Sequence, residues 1–221
     1  MNLFISLIFL VVKMNKPASK PAKVWNDIFD KPDYIFGTEP NDYLVEKKGY
    51  LHTGQKVLMV ADGEGRNSVW VAELGAGVDA FDLSEKAVEK AEKLAAERGV
   101  SVNYFVSGVD EWGWEEEKYD AVVVIFVQFA TPNMRTRLFA NCIRTLKKGG
   151  LLILQGYTPK QLEYKTGGPP ILEHLYTEKM LREYFASLDI VELKMYDAFI
   201  SEGPRHTGMS GLIGMVARKN G

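Results

Sequence analysis

The sequence predicts an α/β fold: a doubly wound, seven-stranded, mostly parallel sheet with an antiparallel C-terminal strand. Three observations carry this. Short apolar runs at residues 56–61, 78–81, 102–106, 119–126 and 151–154 alternate with helical patterns across short connections. The run 119–126 holds Val122, Val123, Val124 and Ile125, apolar on both faces, as suits a central strand of a covered sheet. The last two runs, 190–200 and 212–217, have no helix between them and so pair antiparallel.

The elements follow in order. Residues 1–12 are nearly all apolar, too short a run to span a bilayer comfortably. No positive residue precedes them and no small-x-small cleavage pattern follows closely. An upstream extension with its functional start at Met14, a signal or tether, and a packed helix are the alternatives. Residues 13–23, with two prolines and four lysines, read as a flexible lead-in. The domain organisation is therefore an N-terminal extension over 1–23 and one domain over 24–221.

Residues 25–42 carry Trp25, Phe29, Tyr34, Phe36, Gly37 and Pro40 without clean periodicity, and read as an aromatic-anchored loop or a lid. A short helix over 40–51 has Pro40 in its first turn. After the strand at 56–61, a helix runs over 66–74 and ends near Gly75. Ser84 caps a helix with Ala87, Val88, Ala91, Leu94 and Ala95 on one face, and Gly99 ends it. Leu138, Phe139, Cys142, Ile143 and Leu146 mark a further helix face, with Gly149-Gly150 as the stop. Cys142 on that face is a core thiol.

Composition narrows the function. A net charge of −2 and the lack of a basic stretch interleaved with aromatics exclude a nucleic-acid footprint. The one cysteine forms no intrachain disulfide and has no metal-ligand companions, so no metal is expected and the expected compartment is reducing, the cytoplasm. No stable membrane association is expected apart from the apolar N-terminal segment, and the expected state is a monomer or homodimer acting on a small-molecule substrate.

The chemistry-bearing stretch is Gly63-Glu64-Gly65-Arg66-Asn67-Ser68. A strand runs into a turn whose glycines let a ligand approach the backbone, and the helix behind it offers free amides. About twenty residues on, Asp82 ends the second strand, a placement that suits the hydroxyls of a ribose. A nucleoside-containing cofactor follows. A dinucleotide oxidoreductase is the first competitor, but its third glycine is missing here and a reversed terminal strand pair is unusual for it.

Together with Phe36-Gly37-Thr38-Glu39-Pro40-Asn41, Leu146-Lys147-Lys148-Gly149-Gly150, Tyr157-Thr158-Pro159, Thr166-Gly167-Gly168-Pro169-Pro170 and Arg205-His206-Thr207-Gly208, the stretch resembles the class I S-adenosylmethionine-dependent methyltransferases. Within them it is similar to the tellurite-resistance and thiopurine or thiol methyltransferase group. The resemblance covers residues 25–219 and implies the seven-stranded Rossmann-like sheet. It implies that Gly63 and Gly65 lie under the amino-acid end of the cofactor. Asp82 would take the ribose hydroxyls and Leu83 the adenine face. Gly108 and Val109 would line the adenine edge, and Ile125 and Phe126 the methionine part. Trp25 and Phe36 would close over it.

Three positions depart from the family's usual pattern. Met59 and Ala61 stand where an acid and a glycine are usual, with Asp62 and Glu64 the nearest carboxylates, and Gly108 stands where an acid commonly meets the adenine amino group.

Methyl transfer from a sulfonium asks the protein mainly to align donor and acceptor away from water. A thiol or chalcogen acceptor ionises readily, and a nearby cation would orient it. That reading casts Arg205 as the attractor of an anionic acceptor and His206 as base or hydrogen-bond partner. Gln128 and Tyr157, past the fourth and fifth strands, are candidate pocket residues, and Thr166–Pro170 a turn or pocket wall. Arg66 is expected to touch cofactor or acceptor, or to pair with Glu64. His52 and His174 are expected in surface or cap roles. The alternative reading, from Met59, Ala61 and Gly108, is a non-catalytic nucleoside-cofactor-binding protein of the same fold. An NAD-dependent oxidoreductase ranks below it.

Overall fold

The computed structural model describes residues 19–221, so the apolar segment 1–12 and most of the lead-in lie outside the described residues. Seven strands form one sheet in the order β3-β2-β1-β4-β5-β7-β6. They are β1 (Lys56–Val60), β2 (Gly77–Asp82), β3 (Asn103–Val106), β4 (Tyr119–Ile125), β5 (Leu146–Tyr157), β6 (Leu188–Ser201) and β7 (Thr207–Lys219). Strands β1 to β5 pair in parallel, while β7 runs antiparallel to both β5 and β6. The expected architecture, including the reversed final strand, is the observed one.

Both faces of the central strands are covered, which explains their unbroken apolar runs. Leu58, Val60, Val122 and Val124 join one core layer, and Val57, Met59, Ala121 and Val123 the other. Among the described residues seven α-helices dress the sheet: α1 (Lys20–Phe29), α2 (Asp42–Glu46), α3 (Arg66–Glu73), α4 (Glu85–Arg98), α5 (Pro132–Thr145), α6 (Gln161–Tyr164) and α7 (Glu178–Tyr184). Ser84 caps α4 through Ala87 N, and Gly99 ends it with φ 69°. Cys142 is fully buried on α5, and burial pushes its thiol up.

Four expectations are corrected. The lead-in was expected to run to residue 23, and residues 25–42 to form a loop; instead α1 spans Lys20–Phe29. Ser19 accepts a hydrogen bond from Ala22 N, and Ala22, Trp25 and Phe29 share one face. Pro40 precedes the short helix rather than opening it, because Asn41 is the cap, accepting from Leu44 N at 3.0 Å. Gly149-Gly150 do not stop α5. The helix ends at Thr145, β5 starts at once, and the glycines sit where the β4–β5 register breaks, Gly149 at φ 75°. His174 is no surface residue: it is buried, with ring Nδ1 2.9 Å from Gln128 O.

Gly214 shows how tightly β7 is covered. A Cβ there would stand 2.5 Å from Tyr43 Cζ of α2. Gly214→Ala is expected to cost about 1–3 kcal/mol of stability through overpacking, read as a lower urea midpoint. An unchanged midpoint would refute this packing.

Candidate active site

The carboxyl ends of the parallel strands face one loop cluster, where ligands bind in open α/β sheets. β1 ends in a turn with left-handed backbone at three alternate positions, Ala61 (φ 49°), Gly63 (φ 65°) and Gly65 (φ 90°). Gly65 has no room for a side chain, since a Cβ would meet Ala91 Cβ at 2.7 Å. It lets α3 close on α4. Above Gly63 the nearest atom to a Cβ would be Phe29 Cζ, 3.8 Å away, so α1 lies over this turn. Phe126, ending β4, is also left-handed (φ 53°). Strain of this kind at non-glycine residues gathers at sites.

Asp82 closes the turn from below. Its Oδ2 accepts from Gly63 N at 3.0 Å and its Oδ1 from Ser84 N at 2.8 Å. Burial pushes it up to about 6 against those amides. Burial also pushes neighbouring Asp62 up to about 6, with Ser68 opposing and the Asp82 charge adding to the push. Neither oxygen of Asp62 has a hydrogen-bond partner within the chain. Glu64 is spoken for: it pairs with Lys90 at 2.7 Å and accepts from Phe36 N at 3.2 Å, tying the aromatic loop to α4.

At the start of α3, Arg66 pairs with Glu202, not with Glu64. Its Nη2 lies 2.7 Å from Glu202 Oε2, and both side chains are buried. Asn41 Nδ2 donates to Glu202 Oε1 at 2.9 Å and to Gln155 Oε1 at 2.7 Å, and Asp42 N donates to Glu202 at 3.1 Å. His206 stands among Phe36, Phe126 and Tyr157, with ring centroids 4.6, 4.6 and 5.8 Å away. Burial, then the Arg66 charge, lowers it to about 4, so its ring is neutral at ordinary pH.

The structure gathers most of the expected residues. Trp25 stacks on Phe29, and Phe36 packs between Phe29 and His206. Gly108 lies beside Leu83, where a Cβ would be 3.4 Å from Leu83 Cδ1. Ile125 and Phe126 end β4, and Tyr157 ends β5 against Phe126. Val109 differs, for its side chain is buried in the core beneath the site. Arg205 is exposed, and the guanidinium acting on His206 belongs to Arg66. Gln128 is a clamp, donating to Tyr157 O and His174 O and accepting from Tyr157 N. Thr166 fixes its turn through Met209 O, and Gly167 and Gly168 press on Tyr157, so the turn is also a wall.

Sequence reasoning missed Glu202 and Glu111, and saw Asn41 only as the end of the Phe36–Asn41 motif. Glu202 carries no local motif, because its partners Asn41, Asp42 and Arg66 lie far along the chain. Glu111 Oε2 fills the space that a side chain on Gly108 would take, beside Leu83. An acid three residues beyond the vacant position was the one available signal.

Residues 57–150 match the family described as methyltransferase domain. A ribosomal protein L11 methyltransferase of Campylobacter concisus is 29% identical over 80% of this chain and 57% of its own length. A ubiquinone biosynthesis O-methyltransferase of Xanthomonas oryzae is 36% identical over 64% of this chain and 59% of its own. The chain thus spans under two thirds of the length of these curated relatives.

Among solved structures, one described as "Conversion of a Disulfide Bond into a Thioacetal Group during Echinomycin Biosynthesis" matches with a TM-score of 0.72. It covers 90% of this chain and 93% of that one at 17% identity. TehB from Haemophilus influenzae matches with a TM-score of 0.66 over 90% of this chain and 67% of its own, at 16% identity. The fold is that of the class I methyltransferases. Among the described residues no helix is long and apolar enough to cross a membrane, and no group of three His, Cys, Asp or Glu could hold a metal.

The two raised carboxylates set a pH dependence. Their folded values, about 6, lie above the ordinary 3.8, so the native state keeps protons that the unfolded chain has released. Stability therefore falls as pH rises from about 4 to about 6. Asp62→Asn, which removes one buried charge, is expected to gain about 1–3 kcal/mol at pH 7.5 and nothing at pH 4. Urea melts at both pH values check it, and equal gains at both would contradict it.

Proposed function

We propose that this chain transfers a methyl group from S-adenosylmethionine to a small-molecule nucleophile, with thiol and chalcogen species as the acceptor class. The observation that carries the reading is the Asp82 carboxylate, held by two backbone amides below a left-handed glycine turn. That pinned carboxylate suits the ribose hydroxyls, and the free face of Gly63 admits the amino-acid end.

Two of the three departures behind the non-catalytic reading have local counterparts, whereas Met59 is a core residue, 2% exposed. Ala61 adopts the left-handed conformation of the usual glycine. Glu111 brings a carboxylate to Gly108. The motif set around Arg205-His206-Thr207-Gly208 supports a place near the tellurite-resistance and thiol methyltransferase group.

The bound cofactor would supply an activated methyl group on a positively charged sulfur. The chain's own residues do the rest. Trp25, Phe29 and Phe36 exclude water from above. Ile125 and Phe126 support the donor from the end of β4, and Leu83 with Glu111 flanks the adenine. His206, neutral and walled by aromatic rings, faces the acceptor side as base or hydrogen-bond partner, with Arg205 at the rim. The acceptor itself is set by loops, and the same fold serves many acceptors.

Titration calorimetry tests this reading. S-adenosylhomocysteine is expected to bind and NAD is not, and Asp82→Ala is expected to weaken binding at least about tenfold through the lost charged hydrogen bonds. Binding of NAD alone would overturn the assignment.

A further inference from the structure

Three polar atoms on the acceptor side are buried without a partner in the chain: Arg66 Nη1, Tyr157 Oη and His206 Nδ1. They come from three different elements, the first turn of α3, the end of β5 and the β6–β7 turn. An unmet buried donor or acceptor is costly, so each calls for an explanation. Two observations bring the three side chains into one neighbourhood. Arg66 and Glu202 act electrostatically on both Tyr157 and His206. Tyr157 Oη and His206 Cδ2 would lie 3.0 and 3.7 Å from one Cβ built on Gly167, and both rings pack on Phe126.

We propose that these three atoms form the subsite for the reacting group of the methyl acceptor, and that it takes an uncharged X–H group, a thiol or hydroxyl, rather than an oxyanion. This rests on the methyltransferase reading above. The donor and acceptor count supports it. With its proton on Nε2, His206 offers Nδ1 as an acceptor, while Arg66 Nη1 and Tyr157 Oη donate. An X–H group gives its proton to Nδ1 and accepts from one of the two donors at a time, which leaves its second lone pair for the methyl carbon.

Charge supports it too. The subsite's guanidinium, that of Arg66, is neutralised by Glu202 at 2.7 Å, and His206 is held neutral. The chain itself therefore brings no net positive charge to the subsite to offset the desolvation of an anion; the one cation there would be the donor sulfonium, which methyl transfer consumes. Arg205, the remaining cation of the motif, is exposed.

The transfer balances. A lone pair on X forms the bond to the methyl carbon, and the carbon–sulfur pair stays on the donor sulfur. The X–H proton, made acidic as the new bond forms, moves to His206 Nδ1.

The test uses the full chain with benzyl mercaptan, phenol and selenite as acceptors, and calorimetry with S-adenosylhomocysteine as control. Transfer to a neutral probe is expected, with none to selenite. kcat/KM is expected to stay level from pH 6 to 8 and to fall as the thiol itself ionises. Tyr157→Phe keeps the ring packing and is expected to raise the acceptor KM about tenfold, with unchanged affinity for S-adenosylhomocysteine. Transfer to selenite alone, or to no neutral probe, overturns the subsite. So does a kcat/KM that rises with thiol ionisation, or an unchanged KM in Tyr157→Phe. Failure to bind S-adenosylhomocysteine would instead overturn the methyltransferase reading beneath it.

Discussion

The carboxyl edge of the sheet depends on one buried carboxylate, Glu202. Its two oxygens gather the guanidinium of Arg66, the amide of Asn41 and the backbone of Asp42. These residues begin α3, cap α2 and open it, while Glu202 itself follows β6. One ion therefore fixes the glycine turn, the aromatic loop and the β6–β7 turn against one another. A lone carboxylate at 6% exposure would be strongly disfavoured, and it persists because its partners are all in place. Asn41 extends the knot through Gln155 to Tyr196, so β5 and β6 share it.

The same ion shapes the chemistry. By neutralising Arg66 it leaves one guanidinium hydrogen-bond donor without leaving a free charge. Arg66 in turn helps keep His206 neutral. Across the turn, Asp62 and Asp82 are carboxylates in the same dry surroundings, and burial raises both. Asp82 accepts from two amides, whereas Asp62 makes no hydrogen bond and has only Ser68 and the Arg66 charge opposing its burial. The two halves of the site thus differ: negative charge below the donor's expected place, balanced charge around the acceptor's.

Much of this was legible in the sequence where the signal is local. Gly63, Gly65 and Asp82 announce a strand, a turn and a strand end within twenty residues. The hairpin of β6 and β7 shows as two apolar runs without a helix. What escaped was either long-range or masked. Arg66 and Glu202 are 136 residues apart, and Arg66 has a closer false partner in Glu64. The spacing of Ala22, Trp25 and Phe29 is helical, but the turn formers after them hid it. His174 looked polar in context, yet the carbonyl it meets, on Gln128, is 46 residues away. Glu111 could not be seen as a substitute for an acid at Gly108 until folding brought its carboxylate back over that glycine.

A double-mutant cycle on Arg66→Met and Glu202→Met, followed by urea unfolding, tests the central claim most directly. Each single change strands a buried charge and is predicted to cost about 3–5 kcal/mol. The double change removes both charges and is predicted to cost less than either, leaving a coupling of more than about 3 kcal/mol. Additive losses would contradict the view that this one ion pair holds the site together.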